Sequence, residues 1–159
     1  MTEIDQKTYE SELRDALGDA VFTKAQWQGR TTDWMIQWFA EFVTSTDGSD
    51  SLELPLTLTV GGNLISGTLI SEAAYFDQLA ADFSGAMPES AKDAAKEMIK
   101  SLQPPPLADG EAATPRQFLH MKDAQVFTSA SKPILNQGVL WRGKISSVEG
   151  FSLGNITPS

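Results

Sequence analysis

The chain has 159 residues, 41% of them apolar, and its 12 basic and 21 acidic side chains give a net charge of −9. That length builds one domain with a sizeable core rather than two of ordinary size, and so acidic a chain repels phosphate backbones and anionic membrane surfaces. With no cysteine, a disulfide framework, a thiolate metal site and a cysteine nucleophile are all excluded.

The charge is unevenly spread: residues 1–50 carry −6, residues 51–102 carry −4 and residues 103–159 carry +1. The acidic start has no apolar run of the kind a secretory leader needs, and no stretch reaches the length of a membrane span, so a cytoplasmic protein is expected. Residues 1–30 read as an acidic arm in which Leu13, Leu17, Ala20 and Val21 fall at helical spacing but are interrupted by Gly18. From Asp33 the pattern sharpens. Trp34, Met35, Trp38, Phe39 and Phe42 form an apolar stripe that predicts a helix over 33–43, with Thr31, Thr32 and Asp33 offering N-cap oxygens.

Leu52, Leu54, Leu56, Leu58 and Val60 alternate with Glu53, Pro55, Thr57 and Thr59, which predicts a half-buried strand whose edge is free at Pro55. Gly61-Gly62 suits a two-residue hairpin turn, and a return strand follows from Asn63 to about Ser71, bent at Gly67. Helices are expected over 73–84 and 89–102. Pro104-Pro105-Pro106 then opens an exposed linker over 103–115. Strand signals resume at Phe118–Phe127, pause through Ser129–Gly138 and return in Val139–Ile145, where Val139, Trp141 and Ile145 share one face. Trp141 is expected to be buried against the Leu54–Val60 face. Gly143, Gly150 and Gly154 point to a strongly bent sheet.

Enzyme templates fail in turn. There is no Gly-x-Ser-x-Gly elbow, no phosphate-cradling Gly-x-x-x-x-Gly-Lys-Ser/Thr and no Gly-x-Gly-x-x-Gly. His120 is the only histidine, so no histidine metal cluster can form, and beside Met121 and Lys122 it reads as a surface or interface residue. No catalytic, cofactor-binding or metal-binding residue is assigned. Trp34 and Trp38 read first as core, packing a helix on the sheet, with an aromatic contact surface as the alternative. Trp27, flanked by Gln26, Gln28 and Gly29, is the candidate for an exposed contact. Arg116, Lys122, Lys132, Arg142 and Lys144 make one basic group, five positive charges that beside an acidic arm are a weak footprint for RNA, and of these Arg142, Lys144 and Lys122 are the candidates for a protein-partner role.

The strand pair Leu54–Ile70 resembles the opening of a small Sm-like or SH3-like barrel, a likeness of shape alone. Read in order, the run from Leu58 to Ser71, then Tyr75-Phe76, Phe118–Ala124, Leu140–Ile145 and Gly150–Ile156 resemble the gas vesicle accessory protein U (GvpU) family. That resemblance implies a non-enzymatic cytoplasmic protein associated with gas vesicles. Its partners would be the vesicle shell or other gas vesicle proteins, and it would act in clustering or assembly through weak self-association, with no cofactor and no nucleic acid. The expected fold is α+β: a strongly bent antiparallel sheet or small Sm/SH3-like β-barrel of four to five strands, covered by two to three helices. Residues 1–30 form the arm and residues 31–157 a single GvpU-like domain. The rival readings are an Sm-like RNA-binding module and a small-ligand-binding domain.

Overall fold

The computed structural model describes residues 33–45, 52–105, 115–128, 132–134 and 137–156. The sequence-predicted arm, the contact at Trp27 and most of the 103–115 linker lie outside the described residues. Helix α1 spans Trp34–Ser45, and Asp33 Oδ1 caps it by accepting the Met35 N–H at 2.8 Å. Strands β1 (Leu54–Val60) and β2 (Asn63–Leu69) form the expected hairpin. Its turn holds Gly61 at φ 57° and Gly62 at φ 75°, positive angles that glycine adopts without cost. Helix α2 (Glu72–Gly85) is capped by Ser71, whose Oγ accepts the Ala74 N–H. The next helix begins later than its sequence pattern suggests: Glu89–Ala91 is a tight 3-10 turn, and α3 covers Lys92–Lys100. Strands β3 (Phe118–Phe127), β4 (Val139–Lys144) and β5 (Val148–Leu153) complete the sheet. No helix among the described residues is long and apolar enough to cross a membrane.

The five strands run in the order β4-β3-β2-β1-β5, antiparallel throughout. β1 is therefore interior rather than an edge. Pro55 fits there because the β5 ladder begins one residue later, at Leu56, and the Pro55 carbonyl accepts the Gly154 N–H at 2.9 Å. The true edges are β4 and β5, joined only by the 3-10 turn Ile145–Ser147. β4 ends beside Phe118, whereas β5 opens beside Val60 at the opposite edge. Four residues of chain reach at most about 14 Å, while the edges of a flat five-stranded sheet stand about 19 Å apart. The sheet must curl, and it does so without closing into a barrel.

The bend has an identifiable seat. A Cβ on Gly67 would stand 2.8 Å from Ala124 Cα, and one on Gly138 would stand 2.6 Å from Asp123 Cα. Between them Asp123 sits at φ 50°, where the β2–β3 and β3–β4 registers both shift. Gly67 on β2 and Gly138 just before β4 let the bulged backbone of β3 press close to both. Gly67 thus acts where the sequence places a bend. Gly143 has a different use: its missing Cβ would lie 2.1 Å from Trp141 Cη2, so the Trp141 ring lies along its own strand over Gly143. Trp141 is consequently half-buried and packs only against the margin of the core, not under the β1 strand as its alternation suggests.

Both faces of the sheet are covered. On the inner face Ile36, Ala40 and Val43 of α1 meet Leu56, Leu58, Ile65, Leu69, Leu119, Met121 and Ile145. On the outer face Tyr75, Phe76 and Ala80 of α2 and Ile99 of α3 surround Ile70. Beside them a short return after β5 covers Thr57 and Ser66. Each hydroxyl has one proton, so the chain that satisfies all three contacts is unidirectional. Ile156 N–H donates to Ser66 Oγ (2.8 Å), Ser66 O–H to Thr57 Oγ1 (3.0 Å) and Thr57 O–H to the Gly154 carbonyl (2.8 Å).

Candidate protein-contact surface

Most polar groups inside the described fold are engaged in structural contacts, Gln37 Oε1 and Arg116 Nε being buried without a hydrogen-bond partner. His120 is buried on the outer face of β3, its ring 4.7 Å from that of Tyr75 and 6.3 Å from that of Phe76. It is neither a surface residue nor exposed at an interface, because α2 packs directly over it. Arg142, opposite it on β4, donates its Nε–H to His120 Nε2 at 3.2 Å and lays its guanidinium 3.8 Å over the Phe118 ring. Nε2 must therefore carry a lone pair. Burial first, then the charges of Arg142 and Arg116, push the imidazole pKa down to about 4. A neutral, stacked imidazole held this way is a packing group.

Arg116 ties three elements together. Its Nε and Nη1 lie 3.5 Å from Glu41 of α1 and Glu72 of α2, and its carbonyl accepts the side-chain N–H of buried Gln37. Beside it a pocket bordered by Ala40, Thr44, Ile70 and His120 has a volume of about 10 Å³. That is room for one water and too little for an organic ligand. Among the described residues no group of three histidines or carboxylates could hold a metal ion.

The sequence-predicted contact residues are scattered. Lys122 pairs with Glu53 at 2.5 Å, and Arg142 is engaged with His120 and Phe118. Lys144 is exposed at the end of β4. Lys144 makes no ion pair among the described residues.

The exposed aromatic surface lies on α1, where the sequence favoured core packing over a contact surface. Trp34 and Trp38 are 51% and 47% exposed, and Met35 is 37% exposed. The aromatic stripe therefore faces outward, and the smaller residues Ile36, Ala40 and Val43, at i, i+4 and i+7, face the sheet. These three residues share the inner core with Leu56, Leu58 and Met121. Trp38 stacks on Phe42 (4.9 Å, 15°) and meets Phe39 edge-on (5.5 Å). Phe39 in turn meets Phe151 of β5 edge-on at 5.5 Å. An aromatic surface thus runs from the helix to an edge strand, ending at Leu153, which is 64% exposed. The signal that could have found it is the aliphatic i, i+4, i+7 triad Ile36, Ala40 and Val43, a second apolar stripe on the same helix.

Two half-exposed tryptophans one turn apart on a helix make an apolar patch of the kind found at protein contacts. The family model for gas vesicle protein GvpU-like matches residues 33–156, from the cap of α1 to the return after β5. No curated protein matches the chain, and no solved structure does. With the match covering every described helix and strand, the chain belongs to the GvpU-like family of gas vesicle proteins.

Proposed function

We propose that this protein is a non-enzymatic, cytoplasmic accessory protein that binds gas vesicles or clusters them, or assists their assembly, through protein–protein contacts and weak self-association. Membership of the gas vesicle family supplies the setting. The observation that carries the reading is the outward aromatic face of α1, with Trp34 and Trp38 about half exposed. Tryptophan concentrates binding energy at protein interfaces. Contacts that are weak one at a time suffice on a repetitive particle, because many copies act together and effective concentration multiplies them. The net charge of −9 keeps single copies apart and makes nucleic acid a poor partner.

The test is the distribution of gas vesicles in cells that make them with and without this protein, imaged by electron microscopy, with vesicle yield measured alongside. Clustered vesicles with the protein and dispersed ones without it are expected. Equal clustering and equal yield in both would overturn the reading.

A further inference from the structure

The charge around the aromatic surface narrows what covers it. Asp33 and Glu41 are the only charged side chains in residues 33–45, and β5 contributes Glu149 alone. Asp33 and Glu149 border this surface with acid, whereas Glu41 is already paired with Arg116. Beyond β5 the sheet has no further strand, so the outward backbone groups of that edge face no strand neighbour among the described residues. A matching occupant is apolar, aromatic and basic.

Residues 20–32 of this same chain have that chemistry. They hold Val21, Phe22 and Trp27 with Lys24 and Arg30, and no acid, whereas the six acidic residues of the arm all lie within residues 1–19. The stretch ends where α1 begins and lies outside the residues matched by the family model. We propose that residues 20–32 of one copy dock on the α1–β5 surface of a second copy. Each copy then offers one segment and one surface, a heterologous contact that need not close on itself and extends from copy to copy. This inference rests on the self-association reading above and names the two surfaces that meet.

Full-length protein and heavy-isotope-labelled full-length protein are mixed and treated with a carbodiimide, which joins Lys24 to the carboxylates it touches. Lys24 is expected to link to Asp33 or Glu149 in pairs of one light and one heavy chain. Links within single chains only would place the segment on its own domain and overturn the proposal. In sedimentation velocity the full-length Phe22→Ser/Trp27→Ser variant is expected to self-associate about tenfold or more weakly than the parent, while still floating with purified gas vesicles. Unchanged self-association, or loss of flotation with self-association intact, would overturn the proposal and leave the self-association reading standing. A parent that stays monomeric at every concentration would overturn both.

Discussion

His120 shows how much a single buried side chain decides. Tyr75, Phe76 and the Arg142 Nε–H all favour the neutral ring. The folded pKa is pushed down from 6.5 to about 4, so between these values the unfolded chain binds more protons than the native one. The contribution of His120 is present in full above about pH 6.5 and is lost as pH falls toward 4, amounting to at most about 3 kcal/mol. Urea unfolding of parent and His120→Gln between pH 7.5 and 4 checks this: the parent should lose more stability than the variant, whose amide cannot titrate, and parallel curves would contradict it. Gly143 makes a second case. Gly143→Ala places a methyl group into the Trp141 ring, so a loss of about 1–3 kcal/mol and a shift of tryptophan emission toward longer wavelength are expected. The alternation of β4 puts Trp141 on the inner face, where its ring is found. That the ring lies on Gly143 instead of under β1 was illegible, because which contact an indole makes depends on the curvature of the sheet and not on the period of its strand.

Helix α1 is the element whose sequence misleads most. Eight of its residues, Trp34, Met35, Ile36, Trp38, Phe39, Ala40, Phe42 and Val43, are apolar, so they encircle most of the helix and hydropathy alone does not choose the buried face. The assembled fold chooses it: Ile36, Ala40 and Val43 pack with Leu56, Leu58 and Met121, and the tryptophans are left outside. A contrast between faces follows. Ile36→Ala should cost about 2–5 kcal/mol, since it opens a void in the inner core, whereas Trp34→Ser and Trp38→Ser should each lie within about 0.5 kcal/mol of the parent. Guanidinium unfolding of the three variants measures it, and a tryptophan variant as damaged as Ile36→Ala would put that indole in the core. The β1–β2 hairpin was legible throughout, because period-2 alternation and two adjacent glycines fix register and turn together. The Asp123 bulge was not, since nothing in Lys122-Asp-Ala124 marks it. Its cause lies in Gly67 on β2 and Gly138 just before β4.

At the scale of the whole molecule the α+β class, the bent antiparallel sheet and its helical cover follow from the spacing of apolar residues, and the order of the strand blocks carries the family. The contact surface was less legible. Exposure is a property of the assembled fold, and Lys122 and Arg142 are occupied by partners distant in sequence, Glu53 and His120. What emerges is a curled sheet covered on both faces, with most of its interior polar groups engaged in structural contacts and an aromatic surface running from α1 onto an edge strand. The central claim is that this surface, rather than any pocket, does the protein's work. The most direct measurement is vesicle clustering in cells carrying the Trp34→Ser/Trp38→Ser variant at parental abundance, with its melting temperature checked on the purified protein. Dispersed vesicles with an unchanged melting temperature are the expected result, and vesicles clustered as tightly as with the parent would contradict the account.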